Sequence, residues 1–494
     1  MSNVFPAMVR SASLFVITMA ALIFIENSVT AQEALTAAQQ TALADVQQHA
    51  SDIRAVNRAI WEFAEVGLAE QKSSALLMER LKAAGFTVQA GLADMPTAFV
   101  ASYGSGQPVI AILAEYDALP GLSQKVSPDL DPLTTGAPGH GCGHSGLGAG
   151  AFGAALAVKS AMMQHRLPGT IRLYGTPAEE TTIGKVYMTL AGVFKDVDVC
   201  LHWHPSTKNE LWNGSSKAII SAKFTFNGVT AHAAGSPENG RSALDAVELM
   251  NIGVNFMREH VKEDARLHYV ITEGGGAPNV VPATATVWYY VRADDHKDVE
   301  KYFARVQDIA KGAALMTRTK MKMDIDTDCH EIVGNTPLAE LVHRQFTRIE
   351  APKFTPEEHA FARRLQEPLL EQNGKPFAVA LDEKVYPMLA IGEKSKGSTD
   401  VGDISWHIPT MGLRTACFPF GSPGHCWQNV ASIGSTVGEK GSVYAAQLLS
   451  SAAVELLQRP DIVAAAKTDF ANRMKEKAYT SLIPAGQKPP TKIR

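Results

Sequence analysis

Between Leu35 and Ala84 apolar residues recur at intervals of three and four: Ala59, Ile60, Phe63 and Val66, then Leu76, Leu77 and Leu81. That spacing gathers them on one helical face and predicts helix up to Gly85. Three short apolar runs follow, Val109 to Leu113, Thr170 to Tyr174 and Val197 to Leu201. Each has the length of a strand and leads into a polar turn. Between the first two, Gly146 to Met163 reads as a helix of small residues. Strands alternating with helices predict an α/β layer around a mixed, mostly parallel sheet. Chemistry-bearing residues just past strand ends suit the carboxyl edge of such a sheet.

From Lys217 the period changes. Ala218 to Phe226 alternates like a strand, and Ser242 to His260 is helical. His268 to Thr272 and Ala285 to Val291 are strand-like, Val299 to Ala314 is helical, and Met321 to Ile325 alternates. This strand-helix-strand-strand-helix-strand order predicts a ferredoxin-like α+β domain over residues 217–328. The α/β pattern resumes near Thr336, with helices expected at Pro356 to Glu371 and Ser442 to Leu457. The 217–328 domain is therefore read as an insertion between catalytic segments 32–216 and 329–480, with a polar tail over 481–494.

The first 31 residues read as a signal peptide. Arg10 precedes an apolar run, Leu14 to Ile25, and Val29 and Ala31 have the small-residue spacing of a cleavage site before Gln32. A secreted or periplasmic protein is the expectation. The run falls short of the roughly 20 apolar residues that span a bilayer, so a stable membrane anchor is not expected. A net charge of -4 and only 6 Trp and 11 Tyr argue against nucleic acid as partner. Five cysteines, an odd number, leave at least one unpaired thiol, which a metal bond would protect.

Cys142 and His144, in Gly141-Cys142-Gly143-His144, are good ligands for zinc and similar ions. Glu179 and Glu180 follow a proline turn at a strand end. One can bind metal while its neighbour acts as general base. Taken alone, the pair also suits an exposed helix start. His202 and His204 end the next strand and compete for one ligand place. Counting from Asp198 and the phrase Trp203-His204-Pro205 favour His204. His425 offers a late imidazole. In the inserted domain, His232, Asn279 in a glycine-rich hairpin and Arg292 could form a polar patch facing a metal cleft. There an imidazole would meet an oxyanion, and Asn and Arg would grip a carboxylate.

These residues resemble the aminoacylase and carboxypeptidase type of dinuclear metallopeptidases. The nearest branch holds hippurate hydrolases, auxin-conjugate amidohydrolases and aminobenzoyl-glutamate hydrolase subunits. The motifs run in family order over about residues 45 to 460: Glu115-Tyr116-Asp117-Ala118-Leu119-Pro120, His140-Gly141-Cys142-Gly143-His144, Pro177-Ala178-Glu179-Glu180, Trp203-His204-Pro205, Ala231-His232-Ala233, Asn279-Val280-Val281-Pro282, Gly397-Ser398-Thr399-Asp400 and Gly424-His425. The resemblance implies a zinc-peptidase-like catalytic domain and an inserted dimerisation or lid domain. It implies two divalent ions, zinc or manganese, on Cys142, His144, Glu180, His204 and His425, with Glu179 as base and Asp117 orienting a ligand. His232 would serve the partner subunit's site in a homodimer, and Asn279 and Arg292 would bind or shape the pocket for a substrate carboxylate. A hetero-oligomer with a homologous subunit is the other assembly it allows. Many relatives carry a ligand His two residues before that Asp. Glu115 stands there, and the Cys site is expected to compensate. The implied reaction is amide hydrolysis of an N-acyl amino acid or dipeptide-like molecule. A peptide-cleaving dipeptidase or carboxypeptidase is the neighbouring alternative. A non-catalytic binding subunit is the distant one, and the complete base and ligand set argues against it.

Overall fold

The computed structural model describes residues 34–490, so the expected signal segment lies outside the described residues. Three helices come first among the described residues, α1 (Ala37–Gln48), α2 (Ala50–Phe63) and α3 (Gln71–Ala83). The periodicity predicts one helical stretch here, and the structure breaks it twice. His49 leaves helical geometry between α1 and α2, and Ala64 turns left-handed (φ 43°) after α2. Strands β1 (Thr87–Ala90), β2 (Phe99–Ser105) and β3 (Val109–Ala114) precede the long helix α4 (His144–His165). Then come β4 (Gly169–Gly175), α5 (Gly184–Leu190), β5 (Val199–Ser206) and β6 (Glu210–Trp212).

A short strand, β7 (Gly214–Ser215), leads into the insertion. There follow β8 (Ala218–Asn227), α6 (Ala243–Met257), β9 (Arg266–Glu273), β10 (Thr284–Ala293), α7 (His296–Thr317) and β11 (Lys320–Cys329). Helices α8 (Thr336–Arg348), α9 (Pro356–Gln366) and α10 (Leu370–Asn373) return the chain to the first layer. β12 (Glu393–Lys394), α11 (Val401–Ser405), β13 (Thr410–Ala416), α12 (Trp427–Ile433), α13 (Thr436–Gln458) and α14 (Pro460–Met474) complete it.

The main sheet has the order β1-β2-β4-β3-β5-β13-β6. Its centre, β4-β3-β5-β13, is parallel and its flanks are antiparallel. β3 reads Val-Ile-Ala-Ile-Leu-Ala and is buried at every position. Such an unbroken apolar run is what a parallel strand covered on both faces requires. Helix α4 lies close because its small residues permit it. A Cβ at Gly150 would stand 2.8 Å from the Trp203 ring and 2.9 Å from the Ser442 carbonyl oxygen on α13. β4, β3 and β5 are neighbours, so their three following turns meet at one edge of the sheet. The first residue of α4, His144, lies at that edge too.

The inserted strands form a separate antiparallel sheet of order β11-β8-β10-β9, with α6 and α7 packed on it. This is the ferredoxin-like arrangement. Segment 481–494, read as a polar tail, is tied down through Gln487. The Leu482 N–H donates to Asp328 (2.6 Å), and Gln487 Nε2 reaches the Tyr187 hydroxyl (2.9 Å) and the Ile325 carbonyl (2.8 Å). It thereby straps β11 of the insertion to α5 of the main layer.

Candidate metal centre

The turn after β4 sets the direction of both glutamates. Ala178 (φ 58°) and Thr182 (φ 54°) are left-handed and bracket Glu179–Thr181. Non-glycine residues in that region cost on the order of 1–3 kcal/mol each and persist only where neighbours enforce them. Here Glu70, fully buried, accepts the Ala178 N–H through Oε1 at 2.8 Å. Gly184 lets the chain fold back, since a Cβ there would stand 1.8 Å from the Pro177 carbonyl oxygen. The result separates neighbours in sequence. Glu179 Oε2 lies 3.8 Å from His144 Nε2, whereas Glu180 Oε2 lies 3.3 Å from His425 Nε2.

Asp117, at the end of the β3 turn, joins the halves. Its Oδ1 accepts from His144 Nδ1 at 2.9 Å and its Oδ2 accepts the Glu180 N–H at 2.9 Å. Two ligand clusters result. Cys142, His144 and His204 form one, and Cys142, Glu180 and His425 form the other, with the ligand atoms of each within 4.8 Å of one another. Cys142 Sγ stands 3.2 Å from His204 Nε2. Cys142 belongs to both clusters, so its sulfur would be available to an ion in either. His425 reaches in from the rim, on a left-handed residue (φ 57°) after Gly424.

The donor set fits divalent cations. His144 Nε2, Glu115 Oε2 and Glu180 Oε1 are buried without hydrogen-bond partners. Glu115, Asp117, Glu179 and Asp400 all feel the charge of Lys185, which is fully buried between Glu115 (2.8 Å) and Asp400 (2.5 Å), and Glu180 adds its carboxylate beside Asp117 and Glu115. Burying that much uncompensated negative charge is costly unless cations accompany it. Proton affinities follow the same imbalance. Burial pushes Glu180 up to about 8 and Asp400 up to about 7, and burial with the Glu115 carboxylate raises Glu179 well above its ordinary range. Burial also raises the Cys142 thiol and brings His204 down to about 3. Burial opposes charge on His144, but Cys142 and Asp117 draw it upward. Glu115 and Asp117 go the other way. Burial opposes their ionisation, and Lys185 and His144 respectively hold them below the usual carboxylate range.

Of the two competing histidines, the structure brings His204 to Cys142. His202 is buried beside Trp212, with ring centroids 5.1 Å apart, and joins neither cluster. Arg292, on β10, stacks over Tyr290 (5.5 Å) with its Nε unpartnered, and its charge reaches both Glu179 and His425. His232 and Asn279 lie together elsewhere on the insertion. His232 pairs with Val280, and the Ala233 N–H donates to the Asn279 carbonyl at 3.0 Å. Both are away from the buried interior, and among the described residues neither joins its own chain's metal clusters. Sequence reasoning passed over Glu70 and Lys185, and gave no role to Asp400. An isolated Glu at a helix start or Lys within a helix looks solvated until the fold buries it.

Residues 215–316 match the peptidase dimerisation domain. A subunit of the p-aminobenzoyl-glutamate hydrolase of Escherichia coli is 42% identical over 80% of this chain and 87% of its own length. The Xaa-Arg dipeptidase of Mus musculus is 26% identical over 87% of this chain and 91% of its own length. A dinuclear metal-binding peptidase of the M20 family from Bacillus subtilis shares the fold, with a TM-score of 0.54 at 18% identity, over 83% of this chain and 99% of that one. Fold and site define a metal-dependent amidohydrolase or peptidase. The chain belongs to the M20 peptidase family, on the branch of the aminobenzoyl-glutamate hydrolase subunits.

Unfolded carboxyls titrate near pH 4, so the stability contributed by protons on Glu180 and Asp400 is complete below about pH 4 and lost as pH rises through about 7 to 8. Glu115 and Asp117 are ionised throughout that window and add no slope. The metal-free protein is expected to lose stability between about pH 7 and 9, above the ordinary His range, and an added divalent ion to abolish the loss. Thermal unfolding of chelator-treated protein across that range measures it; a flat profile would contradict the charge imbalance.

Proposed function

We propose that this chain hydrolyses the amide bond of small N-acyl amino acids, including aminobenzoyl-glutamate, in a centre of two zinc or manganese ions. The observation that carries this reading is the membership of Cys142 in both ligand clusters, with Glu179 buried beside them. The thiolate favours zinc, and the imidazole and carboxylate ligands also suit manganese. Two such ions, when bound, supply the positive charge that makes water acidic near neutral pH and polarises an amide carbonyl. Glu179 takes the water's proton and returns it to the leaving nitrogen. Arg292 grips the substrate carboxylate, with Asn279 shaping that pocket. His232 Nδ1 accepts backbone N–H groups from Ala234 (3.2 Å) and Gly235 (3.1 Å), which leaves Nε2–H to donate to a developing oxyanion.

His232 acts, in this reading, in the site of a second copy. β9 is an edge strand with Tyr269, Val270 and Ile271 exposed, and Phe256, Leu315 and Met316 are exposed on α6 and α7. An unpaired strand edge flanked by apolar helix surface supports a homodimer. The Escherichia coli relative is named as one subunit of its enzyme, which supports the other assembly, a heteromer with a homologous chain. The dipeptidase relative supports peptide cleavage as the second reading. Rates on a panel of N-acyl amino acids and dipeptides separate the two activities. Export rests on the apolar run Leu14 to Ile25 and the small residues before Gln32.

Glu179→Gln is expected to lower kcat by at least about 100-fold while metal content stays unchanged. Cys142→Ala should instead lose metal, read by elemental analysis. Hydrolysis by Glu179→Gln at the wild-type rate would remove Glu179 from the reaction. Mixing inactive Glu179→Gln and His232→Ala chains tests the dimer. Exchange into mixed dimers rebuilds one site with both groups intact, so activity returns; no recovery after verified exchange argues against a shared site. Intact-mass analysis of protein from an exporting host is expected to give a chain beginning at Gln32, and an uncleaved chain would count against export by this route.

A further inference from the structure

Glu115 follows β3 and has two differently used oxygens. Oε1 is engaged by Lys185 Nζ at 2.8 Å. Lys185 is itself held, with Nζ 2.5 Å from Asp400 Oδ1 and its backbone N–H donating to Asp400 Oδ2 at 2.8 Å. Lys185 and Asp400 are fully buried, so this chain of bonds fixes the Glu115 carboxylate rigidly. Oε2 points the other way and stands 3.2 Å from His144 Nε2. Both atoms are buried, and neither has a hydrogen-bond partner.

That approach needs a positive charge between the two atoms. His144 Nδ1 donates its proton to Asp117, so a neutral ring would carry its lone pair on Nε2, the atom turned toward Glu115 Oε2. A lone pair facing a carboxylate oxygen at 3.2 Å is repulsive unless a cation joins them. A proton on Nε2 could do so, but the pair lacks hydrogen-bond alignment. A divalent ion does it without strain: two ligand atoms each about 2.1 Å from one ion, at roughly a right angle, lie about 3 Å apart. Glu115, His144 and Glu179 also form a third cluster of ligand atoms within 4.8 Å, buried at all three residues.

We propose that Glu115 is a sixth protein ligand, binding through Oε2 the ion that His144 holds, with Lys185 and Asp400 as its positioning residues. This rests on the two-ion reading above and adds to it. The Cys site does not then replace a ligand at position 115; it works beside one. Glu179 is left nearest this ion with its own carboxylate free for the proton. Lys185 also offsets the extra negative charge, so a sixth acidic donor is tolerated in the interior.

The test is metal binding rather than turnover. Zinc titration by calorimetry, with elemental analysis after dialysis, is expected to give two ions per wild-type chain. Glu115→Gln keeps the shape and an oxygen for Lys185, and is expected to weaken one of the two ions by at least about 10-fold and leave the other unchanged. Glu115→Asp, which keeps the charge but withdraws the oxygen, should weaken the same ion and serves if the Gln variant does not fold. Lys185→Met should weaken it less, with cobalt-substituted protein showing an altered visible spectrum at that site. Two ions bound with wild-type affinity by the position-115 variants would overturn this proposal alone. A wild-type chain that binds no ion would overturn it together with the two-ion reading.

Discussion

Asp117 holds the centre together. One oxygen fixes the ring of His144 at the start of α4, and the other fixes the backbone of Glu180 in the turn after β4. Each partner carries a ligand of a different cluster, so removing that carboxylate would loosen both clusters at once. The pairing also sets the chemistry. A His whose Nδ1–H is taken by a carboxylate presents a basic Nε2 to metal, and outer partners of this kind tune ligand strength. Around it the fold concentrates acids, bends Ala178 and Thr182 into left-handed geometry and buries a lone lysine. Those features make sense together if cations complete the site, and cost stability if they do not.

The two layers divide the work. The main sheet brings three adjacent strand ends and the start of α4 to one edge, and all the clustered ligands arise there or on the His425 loop. The insertion carries Arg292, His232 and Asn279, the residues proposed to meet substrate. Arg292 sits near the end of β10, close enough to act on Glu179, while His232 and Asn279 occupy the hairpin region at the other end of that strand. The C-terminal segment crosses between the layers through Asp328, Tyr187 and Ile325, so the insertion is tethered at more points than its two chain crossings.

Much of this was legible in the sequence, because a metal centre at a parallel sheet edge leaves marks at strand ends. Cys142, His144, Glu180 and the Glu179 beside them could be read from runs and turns. The choice between His202 and His204 could not be made by periodicity. They are two apart on β5, share a face and both touch Trp212; only depth along the strand separates them. β13 was missed although it lies within the sheet, since Thr-Met-Gly-Leu-Arg-Thr-Ala lacks the unbroken apolar pattern of β3. Glu70 and Lys185 were missed for another reason. Their roles depend on burial by elements far away in the chain, and Glu, Lys and Asp carry no local sign of that. The reading of Leu35 to Ala84 failed at breaks where His49 and Ala64, neither a recognised helix stopper, leave helical geometry.

The defining feature of the site is a cysteine shared by two ligand clusters, each of which would hold an ion. Anomalous diffraction from crystals grown with zinc or manganese measures this directly. Two peaks about 3.5–4 Å apart are expected, both beside Cys142 Sγ, one flanked by His144 and His204 and the other by Glu180 and His425. A single peak, or two peaks with Cys142 beside neither or only one, would contradict this arrangement.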